Sequence, residues 1–256
     1  MPATDLELLI DAARAAGEIA TVHFNASPDV WDKPDGAGPV TEADLAVDAM
    51  LRATLCAQRP DYGWLSEETE DSPARLSTDH QFIVDPIDGT RAFIEKSKDW
   101  SHSLAVTHHG EVTAAVIYLP LRDMLFAAQI GGGATLNGAP IATSKVAALD
   151  GGTVLAARSN MDSQNWHAGV PPVKRHFRSS LAYRMALVAN GQFDAMLTLR
   201  PTWEWDIAAG TLIVTEAGGA ATTRKGAPLR YNNPLPQLDG VVAGGGLHAP
   251  LLTALA

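Results

Sequence analysis

Nine residues, Phe82-Ile83-Val84-Asp85-Pro86-Ile87-Asp88-Gly89-Thr90, leave this chain few choices of fold. The apolar run reads as a buried strand that ends abruptly in two carboxylates. Carboxylates beside apolar segments cost free energy unless they are paired or bound to a cation. Hard divalent cations take just such oxygen ligands. Gly89-Thr90 then opens a helical pattern, and the free N–H groups of a helix start suit a phosphate. Two acids, a cation and a phosphate cradle in so short a run point to phosphate-ester chemistry.

The 256 residues suffice for one large domain or two small ones packed together, and 46% hydrophobic residues can fill a sizeable core. A formal charge of -10 excludes non-specific attraction to nucleic-acid polymers or anionic membranes. An acidic protein that binds phosphate must neutralise it locally, and bound cations do so. The single cysteine, Cys56, cannot form an intramolecular disulfide and fits a reducing cytoplasm. It falls in an apolar helical pattern and reads as a buried filler. Residues 1–10 show no basic leader, and the chain has no run of about 18 apolar residues that would span a membrane.

The pattern predicts helices over 5–24 and 41–58, the second opened by the capping-box string Thr41-Glu42-Ala43-Asp44, and a loop over 28–39. Strands dominate from 81 to 143, with hairpins at His108-His109-Gly110-Glu111 and Asn137-Gly138. Strands over 153–158, 193–199 and 241–243 then alternate with helices over 179–189 and 206–217 and a last helix to the end. This division predicts an antiparallel-sheet α+β domain over 1–147 and a mainly parallel α/β domain over 148–256.

Four acidic positions stand at element ends: Asp44, Glu67-Glu68, Asp85 with Asp88, and Asp206. Each has a plain alternative. Asp44 completes a capping box, and Asp206 can cap a helix. Glu67-Glu68 can be a solvated pair, and Asp85–Gly89 can be a turn. Those alternatives do not explain why every acid sits beside an apolar segment.

The strings Ser66-Glu67-Glu68, Asp85-Pro86-Ile87-Asp88-Gly89-Thr90 and Trp205-Asp206-Ile207-Ala208-Ala209-Gly210 together resemble the inositol monophosphatase superfamily of Mg2+-dependent, lithium-sensitive phosphatases. Val40-Thr41-Glu42-Ala43-Asp44, Leu136-Asn137-Gly138 and Glu216-Ala217-Gly218-Gly219 extend the resemblance over nearly the whole chain. It implies a layered αβαβα sandwich, α+β and α/β in character, with the site where Asp85, Asp88 and Asp206 converge.

It also implies roles. Glu67, Asp85 and the Ile87 carbonyl would hold one Mg2+, Asp85, Asp88 and Asp206 a second, and Glu67 would help a weaker third. Mn2+ would substitute, and Li+ or Ca2+ would inhibit. Thr90, paired with Asp44, would orient and deprotonate the attacking water, with Glu67 assisting, and the Gly89 and Thr90 N–H groups would hold phosphate oxygens. Lys33 lies where relatives carry a lysine near the metals, and it also reads as a solvated loop residue. The resemblance implies a homodimer acting on a small phosphorylated metabolite.

The substrate-side strings divide. Arg200-Pro201-Thr202-Trp203-Glu204-Trp205-Asp206 and Arg178-Ser179-Ser180-Leu181 resemble bacterial 3′(2′),5′-bisphosphate nucleotidases, which act on 3′-phosphoadenosine 5′-phosphate. That resemblance puts Glu204, Ser180 and Arg178 among the substrate contacts. The basic cluster Lys174, Arg175, His176 and Arg178 reads either as a solvated surface strip or as the partner of a second substrate phosphate. The segment 196–199 lacks the carboxylate with which inositol monophosphatases grip ring hydroxyls, whereas Arg91-Ala92-Phe93-Ile94 is closer to histidinol phosphatases. A catalytically weak metal- or ligand-binding protein is the alternative outside the enzymes.

Overall fold

The computed structural model describes residues 3–26, 28–34 and 38–256. Residues 1–10 and the loop expected over 28–39 therefore fall partly outside the described residues. Helix α1 (Asp5–Asn25) opens on Thr4, whose hydroxyl accepts from the Glu7 N–H while the Glu7 carboxylate accepts from the Thr4 N–H. Within the expected loop, β1 (Val30–Asp32) and β2 (Pro39–Thr41) pair antiparallel. Helix α2 (Glu42–Gln58) follows, with Thr41 and Asp44 forming the anticipated capping box. Cys56 on α2 is half-buried rather than buried, because it lies off the face that packs on the sheet.

Strands β3 (Gly63–Ser66) and β4 (His80–Asp88) pair in parallel. After the single turn of α3 (Thr90–Ile94), the chain runs antiparallel through β5 (Ser101–His108), β6 (Glu111–Leu119), β7 (Met124–Gln129), β8 (Gly133–Leu136) and β9 (Ala139–Pro140). The result is one seven-stranded sheet in the order β3-β4-β5-β6-β7-β8-β9. Asn137 and Gly138 both adopt positive φ between β8 and β9, the two-residue turn that the Asn-Gly string predicts.

The second half contains β10 (Thr153–Ala156), β11 (Lys174–His176), α4 (Leu181–Ala189), β12 (Ala195–Thr198), β13 (Thr202–Trp203), α5 (Glu204–Glu216), β14 (Ala220–Thr222), β15 (Gln237–Leu238), β16 (Val241–Gly244) and α6 (His248–Ala254). Its main sheet is ordered β11-β10-β12-β16-β14. The expectation of a mainly parallel layer is only half met: β16 is antiparallel to both β12 and β14. A parallel return needs a crossover, which α5 supplies between β12 and β14. No helix joins β14 to β16 among the described residues, so β16 slots between them in the opposite direction.

Five layers result. The apolar faces of α1 and α2 pack with Phe82, Val84 and Leu104 on one side of the seven-stranded sheet. Helices α4 and α5 fill the space between the two sheets, in a core that joins Leu65, Ile83 and Ile117 to Met185, Ile207 and Met196. Leu247, Leu251 and Trp166 cover the outer face of the second sheet. Gly210 permits the tight middle layer, since a Cβ there would lie 2.6 Å from Met185. Among the described residues no helix is long and apolar enough to cross a membrane.

Candidate active site

Residues three apart on a strand face opposite sides, so a regular β4 would separate Asp85 from Asp88. The strand is not regular there. Asp85 pairs with Ser103 and Asp88 with Ser101, so three steps on β4 match two on β5. This bulge restores the phase and turns both carboxylates toward the layer of α4 and α5. Ser180, the cap of α4, donates to Asp88 Oδ2 at 2.5 Å, and the Ala182 N–H donates to the same oxygen at 2.6 Å. Ser103 on β5 donates to the Trp205 carbonyl at 2.9 Å and so ties the start of α5 to the sheet. Asp206, in the first turn of α5, thereby joins the pair, and Asp85, Asp88 and Asp206 each present an oxygen within 4.8 Å of the others.

Three acids so close repel one another. Burial first, and then Glu67, Asp88 and Asp206, hold the Asp85 carboxyl well above the carboxylate range. Burial and then Asp88 do the same to Asp206, with Arg200 opposing. Burial raises Asp88 to about 6, against the hydrogen bonds from Ser180 and Ala182. Asp85 Oδ1 is buried without a hydrogen-bond partner. An orphaned anionic oxygen among carboxylates fits a hard cation that takes oxygen ligands. A soft or borderline metal would call for Cys or His, and the described residues lining the cleft include neither.

Glu67 follows β3, which lies beside β4. Lys33, just past β1, donates to Glu67 at 2.8 Å and to Glu68 at 2.7 Å. Burial, with Glu67 next, raises the Glu68 carboxyl to about 7. Asp48 on α2, which the sequence reading missed, accepts from Ser66 at 2.5 Å and Thr69 at 2.6 Å and fixes the chain on either side of Glu67-Glu68. Asp44 serves twice. One oxygen accepts from the Thr41 N–H and hydroxyl at 2.8 and 2.6 Å, and the other accepts from Thr90 Oγ1 at 3.3 Å. Thr90 Oγ1 also lies 3.3 Å from the Ile87 carbonyl. Burial raises Asp44 to about 6. Gly89 turns the chain with φ +102°, and a Cβ there would meet the Asp99 carbonyl at 3.1 Å.

Glu67, Asp85, Asp88, Gly89, Thr90 and Asp206 line one cleft of about 570 Å³. The substrate-side residues are placed differently from expectation. Ser180 is fully buried and spends its hydroxyl on Asp88 rather than facing the cleft. Glu204 is fully buried, and its two oxygens accept from the Asn232 and Asn233 N–H groups and the Asn233 amide at 2.7 to 2.9 Å, so it holds a loop and not a ligand. Arg178 lies outside the lining, with its guanidinium 3.7 Å from Asp99. Lys174, Arg175 and His176 form the exposed edge strand β11, likewise outside it. The cations on the cleft wall are Arg91 and Arg200, beside the half-exposed ring of Phe177. Buried Arg184 backs that ring, its guanidinium 4.4 Å from the centroid. Arg200 opens the Arg-Pro-Thr string, so its proximity to Asp206 was the available signal. Nothing in the sequence marked Arg184.

A layered αβαβα fold with an acidic, oxygen-lined cleft is suited to holding a hard cation. Comparison with known proteins identifies the family. The sequence matches the inositol monophosphatase family over residues 2–256. It is 34% identical over 233 residues to an inositol-1-monophosphatase of Rhizobium meliloti, covering 86% of each chain. It is 31% identical over 231 residues to a histidinol-phosphatase of Chlorobaculum parvum, covering 87% of this chain and 86% of the other. The crystal structure of extragenic suppressor protein suhB from Bartonella henselae matches with a TM-score of 0.83 at 28% identity over 96% of both chains. The chain belongs to the inositol monophosphatase family and is a phosphomonoesterase.

Proposed function

We propose that the enzyme removes the 3′-phosphate of 3′-phosphoadenosine 5′-phosphate, giving AMP, with Mg2+ held by Glu67, Asp85, Asp88, Asp206 and the Ile87 carbonyl. Arg200 on the cleft wall carries this reading. An acidic floor accepts the phosphate under attack only through cations. A second phosphate on the same substrate needs its own positive partner, and a guanidinium suits it. The segment 196–199 lacks the carboxylate with which inositol monophosphatases grip ring hydroxyls. The half-exposed Phe177 ring adds a stacking face for a base.

When bound, Mg2+ supplies charge neutralisation at the phosphoryl oxygens and lowers the pKa of water. The chain's own groups do the rest. Thr90 Oγ1, oriented by its contacts to Asp44 and the Ile87 carbonyl, accepts a hydrogen bond from the attacking water. Asp44 takes up the proton relayed through that hydroxyl. The Gly89 and Thr90 N–H groups, which open α3 and lack helical partners, hold phosphate oxygens. Ser180 and Ala182 keep Asp88 aimed at the cleft.

One observation favours a second reading. Glu95 and Arg91 both line the cleft, Arg91 heads the Arg-Ala-Phe-Ile string, and Glu95 can pair with an ammonium group. Histidinol phosphate is the substrate that would use it. The test compares Mg2+-dependent phosphate release from adenosine 3′,5′-bisphosphate, inositol 1-phosphate and histidinol phosphate. A preference for the bisphosphate in kcat/KM, lost selectively in Arg200→Ala, is the expected result. A preference for either other substrate, or an equal effect of Arg200→Ala on all three, overturns the bisphosphate reading.

A further inference from the structure

The bulge that aligns Asp85 with Asp88 has a holder of its own on the back of the sheet. Ser103 and Ser101 pair with the two aspartates, so His102 is the residue of β5 left facing Pro86-Ile87. Side chains alternate along a strand, and both serines point toward α4 and α5. His102 therefore points the other way, into the layer of α1. There it is fully buried, with the Trp100 ring centroid 5.5 Å away and that of Tyr118 at 6.3 Å. Its Nδ1 lies 2.5 Å from the Pro86 carbonyl oxygen.

A carbonyl only accepts, so the proton is on Nδ1 and the buried ring is the neutral Nδ1–H tautomer. Burial also pushes this imidazole down to about 4. Nε2 is left without a partner. An apolar wall that carries a polar ring with one orphaned nitrogen is a costly arrangement, and an aliphatic residue would fill the same space without that cost. The compensating contact is the one to Pro86. A bulge removes ladder partners from the extra residue. Pro86 has no N–H of its own, and its carbonyl sits between Asp85 and the Ile87-Asp88 pair.

We propose that His102 is a positioning residue for the metal ligands, acting through the Pro86 carbonyl to fix the bulge that keeps Asp85 and Asp88 on one face. This rests on the reading of those aspartates as metal ligands. Its consequence is that divalent-metal affinity depends on a hydrogen-bond donor at position 102, on the far side of the sheet from the metals.

The test measures Mg2+ binding by isothermal titration calorimetry and the melting temperature of the chelated protein, for the wild type, His102→Asn and His102→Leu. The Asn amide can place a donor where Nδ1 was, whereas Leu fills the space without one. Leu is expected to weaken Mg2+ binding about tenfold or more, and Asn to return it to within about threefold of the wild type, even though Asn fills less of the pocket. A packing role alone would instead make affinity follow the melting temperature, with Asn the worse. That order, or wild-type affinity in the Leu variant, overturns the inference. If His102→Leu does not fold, His102→Gln takes its place. Its amide reaches one bond too far for Nδ1, so the same loss is expected, and wild-type affinity again overturns the inference. Absence of Mg2+ binding in the wild type would instead overturn the metal-site reading.

Discussion

Thr90 Oγ1 meets Asp44 Oδ1 at 3.3 Å, while the other oxygen of that carboxylate is held by Thr41. One acid therefore caps α2 and orients the hydroxyl at the cleft. Asp44→Asn keeps one acceptor oxygen and turns the other into a donor, so it can no longer accept from both Thr41 and Thr90. Loss of the proton acceptor should lower kcat by roughly 100-fold or more. Loss of the cap should cost about 1 kcal/mol, a few degrees in Tm. Thr41→Ala separates the two effects. It should lower Tm similarly and keep kcat within several-fold. Matching losses of kcat in the two variants would reduce Asp44 to a cap.

The crowded acids make the protein's stability depend on metal and pH together. Burial holds Asp44 and Asp88 up at about 6 and Glu68 at about 7. A carboxyl whose folded pKa is raised binds a proton in the fold that the unfolded chain has released. Its stabilising contribution is full below about pH 4 and is lost as pH rises through 6 to 7. Buried His102 and His248 and half-buried His80 shift downward and act in the opposite sense, so a single profile mixes the two groups. The difference between metal-loaded and chelated protein isolates the acids. The gap in Tm should widen from about pH 4 to about pH 7 and reach on the order of 5–10 °C at Mg2+ near 100 times its Kd. Scanning calorimetry with Mg2+ and with EDTA measures it. A gap that does not change with pH would mean that protons and metal do not compete for the oxygens of Asp85, Asp88 and Asp206.

Ser180 turns its hydroxyl to the Asp88 carboxylate and away from the cleft. Its hydroxyl donates to Asp88 at 2.5 Å and also caps α4 through the Tyr183 N–H at 2.9 Å. Removing a hydrogen bond to a charged group costs about 1.5–3 kcal/mol. Ser180→Ala should therefore shift the Mg2+ activation curve to roughly tenfold higher concentration and leave KM for the phosphate ester, at saturating Mg2+, within about twofold. A raised KM with an unmoved Mg2+ curve would return Ser180 to the substrate.

Much of this was legible in the sequence because it is local. The strand into Asp85, the Gly89 turn, the Thr41–Asp44 capping box and the Asn137-Gly138 hairpin each follow from neighbours a few residues apart. Motif order carried the convergence of Asp85, Asp88 and Asp206. What was not legible depends on distant partners. The role of Glu204 is set by Asn232 and Asn233, and that of Asp48 by Ser66 and Thr69. His102 was one of eight histidines without metal spacing, and only the register of β5 against β4 shows which carbonyl it reaches. The direction of β16 likewise depends on the missing crossover, which composition does not report.

Glu204 gives the sharpest contrast between a substrate contact and a framework residue. Its carboxylate gathers three donors from Asn232 and Asn233. The same loop receives Arg75, which donates to Asn232 Oδ1 at 2.6 Å and to the Asn233 carbonyl at 2.9 Å while gripping Asp71 at 2.7 and 2.9 Å. A chain of polar contacts thus runs from the start of α5, two residues before Asp206, to the segment that follows Glu67-Glu68. Glu204→Gln keeps the shape but leaves one acceptor oxygen and adds a donor facing N–H groups. An unsatisfied buried group of this kind costs about 1–3 kcal/mol. Tm should therefore fall by several degrees, and kcat should fall modestly as Asp206 loses its anchor. KM for the phosphate ester should not move, because no oxygen of Glu204 faces the cleft. Steady-state kinetics beside a thermal melt decide the matter. A rise in KM with an unchanged Tm would restore Glu204 to the substrate and undo the framework role.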